Sequence, residues 1–187
     1  VLAYTGWQLY AKCHESGLQK LDAQIAPVTT ALGIFGMPGR TAWFGLMDAG
    51  KPKAGEVVVV SGAAGAVGTL VVQFAKLNGC RVFGIAGGDK KCRFLVDELN
   101  ADGAIDYRAC STTEELAERI RDLTGGAGVD VYFDNVGGWI TDAVSPLIRK
   151  RARIVICGSI SQYDGGLDKP ESGPRFLHYL LYNRATI

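Results

Sequence analysis

At 187 residues, 48% of them hydrophobic, the chain is long enough for one well-buried core but short for a two-domain enzyme. Twenty Lys and Arg against nineteen Asp and Glu leave a formal charge of +1, so there is no electrostatic footprint to draw the protein to nucleic acid or to an anionic membrane. No apolar run approaches the roughly 18 residues that a membrane span needs. The five scattered cysteines, Cys13, Cys80, Cys92, Cys110 and Cys157, fit neither a disulfide framework nor a CxxC metal motif, so a reducing cytoplasm is expected.

Val1 to Tyr10 carries neither a basic leader nor a long apolar stretch. The first thirty residues, with apolar and aromatic stretches around Trp7 to Ala11, a turn at Gly17 and a proline at Pro27, read as the orphaned edge of another domain. A start without Met, inside what looks like a strand pattern, reads as truncation. From Thr29 a helical pattern runs to Phe35, breaks at Gly36, and resumes after Pro38 toward Ala49 and the stop at Gly50. Gly55 then turns the chain into Val57-Val58-Val59-Val60, an unbroken β-branched run of the kind buried on both faces in a parallel sheet.

The rhythm repeats from there. Helix Ala66 to Asn78, strand Arg81 to Ala86, helix Asp89 to Leu99, short strand Ala104 to Asp106 and helix Thr113 to Leu123 follow in turn. Strand Val129 to Asp134, helix Trp139 to Ile148 and strand Arg153 to Cys157 complete the series. Strands alternating with helices of this length mean right-handed βαβ crossovers, and so an α/β fold built on a Rossmann-like, doubly wound parallel sheet with five strands visible. After Ser161 the pattern becomes loop-like through Gly165, Gly166, Pro170 and Pro174, then helical from Arg175 to about Arg184. A sixth strand is expected next and is absent, leaving an open edge beside Arg153 to Cys157 that favours self-association.

The most informative segment is Val57 to Gly68, where a buried strand runs into Ser61-Gly62-Ala63-Ala64-Gly65-Ala66-Val67-Gly68 and then into an apolar helix. A pyrophosphate can sit at such a helix N-terminus only if side chains are absent or small at Gly65 and Ala66, while N–H groups and the helix dipole face the anion. The spacing Gly62-x-x-Gly65-x-x-Gly68 is looser than GxGxxG, so the weight rests on the strand-turn-helix context; the bland alternative is a tight structural turn. At the end of the second strand, where NAD-specific proteins place an acidic residue on the ribose hydroxyls, this chain has Ala86-Gly87-Gly88-Asp89. Asp89 reads as a helix N-cap engaged with backbone N–H groups. Lys90, Lys91 and Arg93 bring positive charge to the place of a 2′-phosphate, which points to NADPH as cofactor; the alternative is that they are solvated helix residues.

Five stretches in order, Gly36 to Leu46, Ser61 to Gly68, Gly79 to Val82, Tyr132-Phe133-Asp134-Asn135-Val136-Gly137-Gly138 and Cys157 to Tyr163, are similar to those of a known family. From Val28 to Ile187 the chain resembles the zinc-independent medium-chain dehydrogenase/reductases, in the branch of prostaglandin reductase (leukotriene B4 dehydrogenase) and NADPH-dependent 2-alkenal reductases. The resemblance implies that residues 1–27 are the C-terminal remnant of a truncated GroES-like catalytic domain, and that 28–187 are an NADP-binding Rossmann domain incomplete at its C-terminus. It implies further that Gly65, Ala66, Val67 and Gly68 hold the pyrophosphate, Lys91 and Tyr107 the 2′-phosphate, and Asn135 the cofactor near its ribose. Cys157, Gly158, Ser159, Ile160, Ser161 and Tyr163 would line the nicotinamide side. Two departures stand out: Gly88 replaces a frequent Ser, and Asp106-Tyr107-Arg108 replaces the commoner Asn-Tyr-Lys.

Other candidate chemistry is thinner. A zinc site would need Cys and His ligands at close spacing, and the only histidines are His14 and His178; His14 follows Cys13 directly, and neighbours on a strand face opposite ways. Cys157 reads as a small residue at a strand end, and not a nucleophile. Trp7, Trp43 and Trp139 read as packing residues. Tyr163, beyond a strand's C-terminal end, is the catalytic candidate: a neutral phenol can donate to developing oxyanion charge, the alternatives being plain cofactor binding or packing on a missing domain. The expected activity is NADPH-dependent reduction of the C=C bond of a small-molecule enone or enal. The alternatives are a quinone reductase, and a cofactor-binding fragment or regulatory module without turnover. The chain alone is expected to be inactive, and a homodimer stays open.

Overall fold

In the computed structural model, which describes residues 1–164, 172–174 and 176–187, the valine run is strand β1 (Val57–Ser61), buried along its whole length. Period-two geometry sends Val58 and Val60 to one face and Val57 and Val59 to the other. The first pair packs with Leu46, Val71, Val72 and Leu95, the second with Leu116, Ile120, Ile140 and Val144. A fully buried valine contributes about 1.5–3 kcal/mol, so covering both faces makes β1 the centre of the sheet.

Four further parallel strands, β2 (Arg81–Ala86), β3 (Gly103–Asp106), β4 (Val129–Asp134) and β5 (Ile148–Ile156), complete a sheet of order β3-β2-β1-β4-β5. Helices α1 (Met37–Phe44), α2 (Gly68–Leu77) and α3 (Asp89–Arg93) pack on one face, and α4 (Thr113–Leu123) and α5 (Gly138–Val144) on the other. Both α1 and α3 continue as wider π-helical turns, Gly45–Gly50 and Phe94–Glu98. The order reverses between β1 and β4, which opens a crevice beyond Ser61 and Asp134, the place where doubly wound sheets bind ligands.

Several expectations are corrected. The helix read as Trp139 to Ile148 ends at Val144, and β5 begins earlier than Arg153, at Ile148; a register irregularity opposite Val129–Val131, with Arg151 at φ 66°, conceals the longer strand. The segment read as helix from Thr29 is a short 3-10 stretch, Val28–Leu32. The edge beside β5 is partly taken, because Thr186 pairs with it in parallel: the Ile154 amide donates to the Thr186 carbonyl at 2.8 Å, and the Thr186 amide to Ala152 at 2.9 Å. Helix α6 (Leu177–Asn183) precedes that contact. The loop residues Gly165, Gly166 and Pro170, and the helix start at Arg175, lie outside the described residues.

Residues 1–27 form little regular structure. Leu2 and Gln19 make one antiparallel bridge, and His14 is not on a strand but caps a 3-10 turn, Glu15–Gly17, by accepting from the Ser16 amide. Trp7 is fully exposed and packs on nothing described, against its reading as a packing residue.

Candidate functional site

The glycine turn is built by close approach. A methyl group on Gly68, the first residue of α2, would lie 2.3 Å from the Gly62 carbonyl oxygen and 2.7 Å from the Ala63 Cα, so only glycine lets the helix start this near β1. The Gly65 amide donates to the Gly62 carbonyl at 3.0 Å, and the Ala63 amide ties the turn to Ile85 of β2 at 3.1 Å. The amides of Ala66 and Val67 have no acceptor among the described residues, which leaves donors at the positive end of a ten-residue helix.

An open cleft of about 820 Å³ runs along the C-terminal ends of the strands from this turn. Its lining follows the sheet order: Lys91 and Tyr107 on the β2–β3 side, Gly65, Ala66, Val67 and Gly68 beside β1, Asn135 after β4, and Cys157, Gly158, Ile160, Ser161 and Tyr163 after β5. Ser159 lines instead a neighbouring hollow of about 400 Å³ with Asp142 and Phe176. Met37 and Thr41 of α1 also reach the cleft; they lie in the Gly36 to Leu46 stretch of the resemblance, to which no site role was given. Trp139, read as packing alone, lines the cleft and sets its ring edge-on to Tyr107 at 6.1 Å.

At the tip of β2 the capping differs from the expectation. Asp89 makes no cap; it forms an exposed ion pair with Arg93 one turn on, and this occupies both charges. The carboxylate that organises the tip is Asp106 at the end of β3, which accepts from the Gly88 amide at 2.8 Å and the Arg108 amide at 3.0 Å. The Gly88 bond foremost, with the Arg108 amide and charge adding, holds the Asp106 carboxyl below its usual range.

Arg108 itself was passed over as a site residue. It lines the cleft, and a methyl group on Gly87 would lie 2.9 Å from its Nε and 3.2 Å from the Tyr107 hydroxyl, so guanidinium and phenol lie together over the strand tip. Neither Lys91 nor Arg108 has an ion-pair partner among the described residues. The usable signal was sheet order, since the residues after β3 stand next to the end of β2.

On the other side the loops after β4 and β5 hold each other. The Cys157 and Gly158 amides donate to the Asp134 carbonyl at 2.8 and 3.1 Å, and the Ser161 amide and hydroxyl to the Val136 carbonyl at 3.1 and 2.7 Å. Tyr163 folds back so that its phenol oxygen accepts from the Ser159 amide at 3.3 Å. Burial, with the Asp134 charge adding, pushes the Cys157 thiol above its ordinary value, which keeps it protonated and unreactive at neutral pH.

A family model described as zinc-binding dehydrogenase matches residues 66–183, from the start of the helix that follows the glycine turn through α6. The chain belongs to that family. YfmJ of Bacillus subtilis (strain 168), named for NADP-dependent oxidoreduction, is 47% identical over 187 residues, all of this chain and 54% of that protein. Prostaglandin reductase 1 of Rattus norvegicus is 43% identical over 183 residues, 96% of this chain and 54% of its own length. A crystal structure of CurA in complex with NADPH from Vibrio vulnificus superposes with a TM-score of 0.77 at 46% identity, covering 86% of this chain and 48% of that one. The zinc-binding dehydrogenase domain described here thus falls in the zinc-independent medium-chain reductase branch that its sequence resembles, and it spans about half the length of the relatives it matches. Among the described residues no group of three or more His, Cys, Asp or Glu is placed to hold a metal ion, and no helix is long and apolar enough to cross a membrane.

Proposed function

We propose that this domain binds NADPH along the C-terminal edge of its sheet and holds it for reduction of the C=C bond of an α,β-unsaturated aldehyde or ketone. The observation that carries the reading is the tip of β2, where the Arg108 guanidinium and the Tyr107 phenol lie together over Gly87 and Lys91 lines the same cleft. A 2′-phosphate there gains two cations and a hydroxyl. The ribose of NADH would lack its customary carboxylate at the end of β2, where the chain has Gly87 and Gly88 and the next residue, Asp89, is paired with Arg93. The exposed, small residues Gly65 and Ala66 at the start of α2 suit a pyrophosphate.

When bound, NADPH supplies the hydride. Asn135 is fixed for contact with the cofactor by its own bonds to Ser61, the amide at 2.9 Å and the Nδ2 at 2.7 Å. Cys157 and Ile160 at the β5 end, with Met37 of α1, give the cleft an apolar lining against which the nicotinamide ring would pack. Tyr163 accepts from Ser159, so its O–H hydrogen stays available to bond the substrate carbonyl oxygen as negative charge develops there. The relative named prostaglandin reductase 1 and the NADPH-bound CurA structure support the reading.

The test is to supply the full reading frame with NADPH deuterated at the transferable position, together with a 2-alkenal, and to identify the product by mass spectrometry and NMR. The expected product is the saturated aldehyde with one deuterium at the β-carbon. An allylic alcohol, with deuterium on the carbonyl carbon, would contradict C=C reduction.

A further inference from the structure

The end of β4 carries a carboxylate that the cofactor reading leaves without a role. Asp134 is buried, and its side chain accepts five hydrogen bonds. Four converge on Oδ1, from the Ser61 hydroxyl at 2.8 Å, the Tyr132 phenol at 3.0 Å, and the Val136 and Gly137 amides at 2.9 Å each. The Thr141 hydroxyl of α5 donates to Oδ2. Among the described residues no Lys, Arg or His pairs with it, so neutral donors alone offset the cost of burying the group. Burial foremost, with this neighbouring charge adding, pushes the Tyr132 phenol well above its ordinary value, which keeps it a donor.

Of these donors Val136 lines the cleft, while Gly137 and Thr141, with Asp134 itself, line the neighbouring hollow. Ser61 closes β1 and its hydroxyl also accepts from the Asn135 amide; Val136 and Gly137 are the β4 loop; the Val136 carbonyl in turn holds Ser161. The opposite end has a separate anchor, Asp106 on β3, with β2 and β1 lying between β3 and β4.

We propose that Asp134 is a positioning residue, whose carboxylate fixes the β4 loop and, through Val136, the segment from Ile160 to Tyr163 in the shape that receives the nicotinamide half of NADPH. The 2′-phosphate end, held by Asp106, does not depend on it. The proposal rests on the NADPH reading of the cleft.

Two ligands separate this from a general structural role: NADPH, which needs both ends, and adenosine 2′,5′-bisphosphate, which reaches only the β2 side. In the 187-residue chain Asp134→Ala is expected to weaken NADPH by about tenfold or more while changing the bisphosphate by less than about twofold. Asp134→Asn should recover most of the loss, because its amide oxygen can take the four donors of Oδ1 while its NH2 meets the Thr141 hydroxyl. Ser61→Ala removes the hydroxyl shared by Asp134 and Asn135 and should give the same selective loss by a smaller factor, which decides the matter if Asp134→Ala does not fold. Equal losses for the two ligands, or undiminished NADPH binding in the folded variant, overturn the proposal. A wild-type chain that binds neither ligand overturns the NADPH reading, and the proposal with it.

Discussion

Gly65→Val is expected to leave the domain folded and to abolish measurable binding of both NADPH and NADH. Gly65 is exposed, and a methyl group there would crowd one atom, the Gly62 carbonyl oxygen at 3.2 Å, which must give by a few tenths of an ångström. Its φ lies outside the left-handed region, so a β-branched residue adopts the same backbone. Gly65 lines the cleft beside the Ala66 and Val67 amides, so a valine side chain would take up space where both dinucleotides would place the same pyrophosphate. The loss should be at least about a hundredfold for each, or roughly 2.7 kcal/mol. Gly68, three residues on, should behave in the opposite way. Its added methyl would press on backbone at 2.3 Å, so Gly68→Ala destabilises the fold itself, by about 1–3 kcal/mol. Fluorescence titration beside a thermal melt separates the two. Retained cofactor binding in a folded Gly65→Val domain would contradict the placement of the pyrophosphate.

Removing the two unpaired cations should change cofactor choice without changing the fold. Lys91 and Arg108 are exposed, so each bond to a 2′-phosphate is discounted for solvent to about 1 kcal/mol. Lys91→Ala or Arg108→Ala alone is then expected to weaken NADPH by about five- to tenfold, and the double variant by roughly thirty- to a hundredfold, with NADH unchanged within about twofold. Arg93→Ala serves as the comparison: with its guanidinium held by Asp89, it should move NADPH affinity by less than about twofold. The preference for NADPH should also shrink as salt is raised, since exposed charges are screened. Equal losses for NADH and NADPH in the double variant would mean that these side chains support the loop and do not read the phosphate.

The fold was legible wherever local chemistry marks both ends of an element. Strands Arg81–Ala86 and Val129–Asp134 and helix Thr113–Leu123 stand where the pattern puts them, because each is bounded by glycine, aspartate or a capping threonine; the Thr112 hydroxyl does accept from the Glu115 amide. The longer β5 was hidden because Arg149, Lys150 and Arg151 interrupt its apolar pattern before the strand becomes buried. The candidate site residues were named at loop ends, and one cleft is lined by all of them except Ser159.

What could not be read were relations across the sheet. Asp106, and not Asp89, is the carboxylate that bonds backbone at the tip of β2; Arg108 joins Lys91 only because β3 lies beside β2; and Asp134, an ordinary strand end in the sequence, gathers donors from β1, β4 and α5. No spacing along the chain encodes these contacts, since they depend on which strands become neighbours.

The most direct measurement is an equilibrium titration of the 187-residue chain with NADPH and with NADH, followed by protein and nicotinamide fluorescence at one fixed, low salt concentration. The account predicts saturable binding of both, with NADPH tighter by at least about tenfold, a difference of roughly 1.4 kcal/mol. Equal affinities, a preference for NADH, or no saturable binding of either would contradict it.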